Sequence, residues 1–148
     1  MKNILLVFII TIGFTYGFSQ GLLSNEKEEV FTIVEDMPIP WFYKSECVDV
    51  NSASKQACYQ SKLNSYLLDK IEYPYQAIKN KIEGTVIVQF VISEDGSISD
   101  ATILKDIGHG CGKEALEQVS KMPNWIPGKQ RGVPVKVRYT LPIKFKLN

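Results

Sequence analysis

The sequence predicts an α+β fold, a three-stranded mixed sheet with helices on one face, and three observations carry that expectation. The stretch Thr85 to Ser93 is rich in β-branched residues and is followed by Asp95-Gly96, a strong hairpin signal. Two segments, Cys58 to Ile71 and Cys111 to Met122, repeat apolar residues at helical spacing. The closing segment, Val133 to Leu147, is apolar at every odd position and Pro, Lys, Arg or Thr at every even one. That is the period of a strand with one face in a core and one in water.

The chain has 148 residues, 45% hydrophobic and 22% charged, with a formal net charge of +1. This suffices for one domain with a real core and shows no charge excess that would point to nucleic acid or an anionic membrane. Charge is nevertheless unevenly placed: after Glu117 there is no acidic residue.

The first residues, MKNILLVFIITIGFTYGFSQ, read as an export signal. Lys2 is its positive end, Ile4 to Phe18 its apolar stretch, and Gly17 and Ser19 the small residues before a cut at Gln20. The alternative is a short uncleaved anchor, although a bilayer span needs about 20 apolar residues. No cysteine precedes Cys47, which argues against a lipid-modified N-terminus. An exported chain meets an oxidising compartment. Cys47 and Cys58, flanking the polar VDVNSASKQA, then read as a disulfide worth roughly 2–3 kcal/mol on the loop-entropy estimate, or else as two unpaired thiols. Cys111 is left over.

Residues 20–30 are polar. Phe31 to Val34 reads as a short edge strand, stopped by EDMPIP, whose prolines cannot donate ladder bonds. In the first helix Tyr59, Leu63, Tyr66, Leu67 and Ile71 form the apolar stripe. Tyr73-Pro74 breaks it, and Pro74 suits the first turn of a second short helix carrying Ala77, Ile78 and Ile82 and ended by Gly84. The strand Thr85 to Ser93 is apolar on both faces, hence central. Ser97 to Leu104 returns from the hairpin. Cys111, Ala115, Leu116, Val119 and Met122 share one face of the next helix, which Pro123 ends. NWIPGKQRG is a turn-rich link into the final strand.

The hairpin strands run antiparallel, and the helix from 111 to 122 is a crossover. The last strand therefore runs parallel to the second and antiparallel to the first, giving the sheet order second, first, last. The last strand is then a long edge. Its prolines agree, because Pro134 and Pro142 both occupy even positions and proline is tolerated mainly at an edge or bulge. The even side is thus the open one, with donors at Lys136, Arg138, Thr140, Lys144 and Lys146 unless a bulge near Leu141-Pro142 reverses the parity.

Taken together, Tyr73-Pro74, Ala77, Gly84-x-Val86-x-Val88-x-Phe90, Asp95-Gly96, Ile103-Leu104, Glu114-Ala115, Trp125-x-Pro127-Gly128 and Phe145-Lys146-Leu147 resemble the C-terminal domain of TonB proteins. The likeness covers about residues 63 to 148 and is closest in MPNWIPGKQRGVPVKVRYTLPIKFKL, which is similar to such domains from Bacteroidetes. VFTIVEDMPIP is similar to the short lead-in found before them. The chain then divides into the export signal, or short N-terminal anchor, at 1–19, a lead-in with the disulfide loop at 20–57 and, as the resemblance implies, a TonB C-terminal-like domain at 58–148. The resemblance further implies a periplasmic, non-enzymatic domain that grips the TonB box, an N-terminal segment of an outer-membrane receptor, by adding it as a strand beside the last strand. Carried over residue by residue, the gripping strand is Val135 to Ile143, including Val135, Lys136, Val137, Arg138, Tyr139, Thr140 and Leu141. Ile71, Glu72, Tyr73 and Pro74 would lie near the docked peptide. Two departures bear on energy transduction: the N-terminal segment looks cleavable with no proline-rich spacer before the domain, and the cysteine-flanked loop from 47 to 58 stands where a glycine-rich turn often follows the lead-in. A different class of function is a structural module that dimerises edge to edge.

The remaining chemistry-bearing residues read as structural. His109 and Cys111 in GHGCG are too close in a turn to act as a pair, and Cys111 falls on a buried stripe. One His and three scattered Cys lack zinc-ligand spacing. Gly108, Gly110 and Gly112 are not followed by the Lys-Ser/Thr of a phosphate loop. No catalytic residue, metal or cofactor is expected. Lysines on the last strand either discourage stray pairing or favour an acidic partner strand. Trp125 reads as a core anchor, and Trp41, Phe42 and Tyr43 as a cluster packed on the sheet rather than an exposed contact patch.

Overall fold

The structure is a computed structural model describing residues 28–43, 47 and 52–147. The expected export segment, residues 1–19, lies outside these. The lead-in supplies β1 (Ile39–Pro40) and a single 3-10 turn, Trp41–Tyr43. Next come α1 (Ser52–Lys70), α2 (Tyr75–Lys79), β2 (Gly84–Ile92), β3 (Ile98–Lys105) and α3 (Cys111–Ser120). The chain closes with β4 (Trp125–Ile126), β5 (Gly128–Gln130), β6 (Val133–Val135) and β7 (Val137–Phe145).

The main sheet has the order β3-β2-β7, with both neighbours antiparallel to β2. This is the expected arrangement of second, first and last strands. Strand alternation does the rest. Val86, Val88, Phe90 and Ile92 from β2 and Val137, Tyr139, Leu141, Ile143 and Phe145 from β7 all turn to one face and are buried there. Helices cover that face. Leu63 and Leu67 of α1, with Ala115 and Val119 of α3, join the same core. Alternation leaves Arg138, Thr140, Pro142 and Lys144 exposed on the opposite face.

Phe90, Trp125 and Tyr139 form the aromatic centre of the core, with ring centroids 5.1 to 5.8 Å apart. Burial raises the Tyr139 phenol to about 12, and its oxygen accepts a hydrogen bond from Gln60 Nε2 of α1. Trp125 is anchored from outside the sheet as well: its main-chain N–H donates to the Gly96 carbonyl at 2.8 Å. Gly96 sits in the hairpin turn at φ +84, and a Cβ there would lie 1.8 Å from the Trp125 carbonyl oxygen. The Asp95-Gly96 pair thus makes the turn and also lets it dock against Trp125, a requirement beyond turn chemistry.

Several expected boundaries move. α1 begins at Ser52, not Cys58, so much of the supposed polar loop between the cysteines is helix. Its residues Ser52 to Ala57 are polar or small, carry no apolar stripe, and hence left no periodic signal. The Cys47–Cys58 disulfide forms, with Cα atoms 6.0 Å apart, tying the lead-in to α1. Pro74 is the N-cap of α2 and not its first residue, and α2 stops at Lys79. Lys81 then takes a positive φ, so Ile82 lies beyond the helix and Gly84 opens β2.

The closing alternation is not one strand. It divides at Lys136: Val133–Val135 pairs with Gly128–Gln130 as a separate hairpin, and Val137–Phe145 pairs with β2. Both pieces keep the period-two pattern, so alternation could not reveal the break. The link NWIPGKQRG likewise contains β4 and β5. EDMPIP does not merely stop a strand. Asp36 exchanges both main-chain bonds with Lys129, at 3.1 and 2.9 Å, and Ile39 and Pro40 pair with Ile126 and Trp125. Of the Phe31–Val34 strand only a bridge at Phe31 forms. Within the aromatic cluster, Phe42 packs on Tyr66 at 5.0 Å while Trp41 is 56% exposed, and the Tyr43 side chain lies outside the described residues.

Candidate functional site

The open side of β7 follows from one proline. Ile87 of β2 lies opposite Pro142, which has no N–H, so this must be a pair that exchanges no ladder bond. Even residues of β7 therefore direct their N–H and C=O away from β2. The register runs from Gly84↔Phe145 to Ile92↔Val137 without a shift, so no bulge reverses the parity. An independent contact agrees with this: the Lys136 carbonyl and the Arg138 N–H both point outward and bond to Phe31.

Along this edge the expected residues have different surroundings. At one end Phe31 lies parallel to Val137, donating its N–H to Lys136 at 2.9 Å and accepting from the Arg138 N–H at 2.7 Å. Glu28 forms an ion pair with the Lys136 ammonium. The sequence offered one sign of this, the apolar run Phe31 to Val34, but nothing that named its partner. Val135 lies in the separate β5–β6 hairpin. In the middle, the main-chain N–H and C=O of Thr140 and the carbonyl of Pro142 have no backbone partner among the described residues. A cavity of about 280 Å³ wraps the edge here, lined among others by Met37, Gln56, Gln60, Gln89 and Thr140. Gln89 Nε2 donates to Thr140 Oγ1 at 3.3 Å.

At the far end the edge meets the segment after α1. Ile71 and Tyr73, with Leu68, Lys144, Phe145 and Lys146, line a second cavity of about 280 Å³. The Tyr73 ring stands edge-on to Phe145 at 5.4 Å, and its hydroxyl donates to the Ile82 carbonyl at 2.5 Å. Burial, and to a lesser extent the neighbouring Cys111 and Glu83, pushes the Tyr73 phenol up. Glu72 turns away from the edge; its N–H donates to Glu114 Oε1 at 3.0 Å. Pro74 is likewise beside Gly110 and α3. The edge thus gathers Ile71 and Tyr73 with the end of β7, and leaves Glu72 and Pro74 on another surface. Odd residues Val137, Tyr139 and Leu141, expected to take part in gripping, offer this edge no free polar group, since their side chains are in the core and their main-chain bonds go to β2.

The exposed side chains of the edge strand and its extension are Arg138, Thr140, Pro142, Lys144 and Lys146. No carboxylate lies in this strand to offset its cations, so it presents positive charge to an incoming chain.

Cys111 stands apart from this surface. It is fully buried at the start of α3, and burial together with the Asp106 carboxylate pushes its thiol up, away from the thiolate a nucleophile needs. A Cβ at Gly112 would lie 2.3 Å from the Asp106 carboxylate, so the glycine lets that side chain rest against the start of α3. Cys111 and Gly112 shape the start of α3 against the loop before it.

The family model described as the Gram-negative bacterial TonB protein C-terminal matches residues 69–147. Among solved structures the chain is similar to two NMR solution structures of the Helicobacter pylori TonB C-terminal domain. The shorter fragment is 26% identical over 58% of this chain and 90% of its own, with a TM-score of 0.47. The longer is 22% identical over 74% of this chain and 94% of its own, also at 0.47. No curated protein sequence matches. Among the described residues no helix is long and apolar enough to cross a membrane.

Proposed function

Because the chain belongs to the family of Gram-negative bacterial TonB protein C-terminal domains, we propose that it acts in the periplasm by binding the N-terminal TonB-box segment of an outer-membrane receptor as an added strand on β7. The binding supports TonB-dependent transport and involves no chemistry by the domain itself. One observation carries the reading: Thr140 and the strand beyond it offer outward main-chain groups with no backbone partner among the described residues. Such a row is a template for an extended peptide, with main-chain bonds giving grip and flanking cavities giving selectivity. The charges of Arg138, Lys144 and Lys146 favour an acidic segment, and screening weakens the complex as salt rises.

The test is to titrate the protein with receptor N-terminal peptides and follow its backbone amide resonances. Shifts should centre on Arg138, Thr140 and Lys144 and extend to Ile71 and Tyr73. Shifts confined to surfaces away from β7 refute the reading.

A further inference from the structure

The edge on which the proposed function depends already carries a guest at one end. Phe31 occupies the Lys136 carbonyl and the Arg138 N–H, the same groups a strand added along the whole of β7 would use. We propose that residues 28–31 of the lead-in are a built-in competitor for the peptide edge, which an incoming strand displaces to extend past Thr140. This rests on the peptide-binding reading, and it adds a regulator to that site.

The guest is fastened behind and loose in front. Downstream, Val34 is buried, Asp36 is bonded both ways to Lys129, and β1 pairs with β4. The Cys47–Cys58 bridge then ties the lead-in to α1. The lead-in is thus held close to β7 whether or not Phe31 is docked, which gives it a high effective concentration. At the tip, Glu28–Phe31, the hold among the described residues is slight: two main-chain bonds, the half-burial of Val30 and Phe31, and the Glu28–Lys136 pair, whose carboxylate is largely in water. Between tip and anchor, Ile33 is 82% exposed and adds almost no burial. A segment held by so few contacts opens far more readily than the β2–β7 ladder beneath it. While it is docked, affinity for any competing strand falls in proportion to the fraction of open edge.

The experiment uses the full chain and the synthetic peptide EEVFTIV, a copy of residues 28–34, as probe. In the parent protein the Arg138 amide should exchange with solvent on the order of tenfold more slowly than that of Thr140, after correction for intrinsic rates. Phe31→Pro, which removes the donor to Lys136, should abolish that difference and tighten the peptide on the order of tenfold. Glu28→Lys, which leaves the main-chain bonds in place and is harmless to the core, should move both readouts the same way by a smaller factor. Equal exchange at Arg138 and Thr140 in the parent, or no tightening in either variant, overturns the proposal. If Phe31→Pro fails to fold, the Glu28→Lys result decides. Receptor peptides tested on the same proteins separate the two readings. Binding of EEVFTIV to Phe31→Pro with none of receptor peptides sinks the receptor reading and keeps the competitor. Receptor peptides that bind parent and variant equally, with shifts at Arg138, do the reverse.

Discussion

Thr140→Pro isolates the main-chain grip from the fold. Thr140 faces Gln89 in register, on the same parity as Pro142, so its N–H is not used by the β2–β7 ladder. Inside the molecule the change removes only the exposed 3.3 Å bond from Gln89 Nε2 and narrows φ, a loss of about 1 kcal/mol. A docked strand loses more. One bond worth about 0.5–1.5 kcal/mol disappears, and the partner carbonyl left facing a proline ring costs a further ~1–3 kcal/mol. The sum, about 1.5–4.5 kcal/mol, is roughly a 10- to 2,000-fold rise in Kd. Tyr139→Pro is the contrasting variant. It strikes the bonded parity opposite Phe90 and removes a core ring, so it should destabilise the fold by more than about 3 kcal/mol. Calorimetric titration with a receptor peptide gives the affinities, and urea unfolding the stabilities. Thr140→Pro protein that is folded and binds with parental affinity refutes strand addition at this edge. Thr140→Pro that unfolds as readily as Tyr139→Pro refutes the parity.

Gly96→Ala should lower stability by about 3–5 kcal/mol, from left-handed strain of about 1–2 kcal/mol, the lost Trp125 bond and the displaced core around it; urea midpoints measure this. The alkaline limb of stability should carry the signature of Tyr139. Its phenol titrates near 10 when unfolded and at about 12 when folded, so the unfolded chain releases its proton first. Stability is then unaffected by this group below about pH 10 and falls by about 3 kcal/mol as pH rises to 12, and Tyr139→Phe should flatten the limb in pH-dependent unfolding. Replacing Cys47 and Cys58 together by Ala should cost about 2–3 kcal/mol on the loop-entropy estimate, read as a lowered Tm that reductant no longer affects.

Much of the docking edge is legible in the amino acids alone. Parity of β7 is written in Pro142, because a residue without an N–H can stand only where no ladder bond is required; Pro134 belongs to β6 and reports on its pairing with β5 instead. The odd apolar positions from Val137 to Phe145 likewise announce which face is buried. Their period of two is a local property, set by the backbone of each strand. The break at Lys136 was hidden for the same reason, since β6 and β7 alternate in phase and differ only in which strand each meets. The first turns of α1 were hidden because their residues, Ser52 to Ala57, are polar or small and carry no periodic stripe.

Sequence by itself determined the sheet order, the core-facing residues of the central and last strands, the open parity of the last strand and the positive charge along it, all of which follow from local period, turn chemistry and the absence of acids after Glu117, whereas Val133 and Ile78 of the expected apolar faces are exposed. Only the tertiary structure decided where the lead-in goes: Asp36 beside Lys129, Ile39 beside Ile126, and Phe31 on the end of the edge. Those contacts join residues about a hundred positions apart through main-chain groups that every amino acid carries, so side-chain identity says little about which of them will meet.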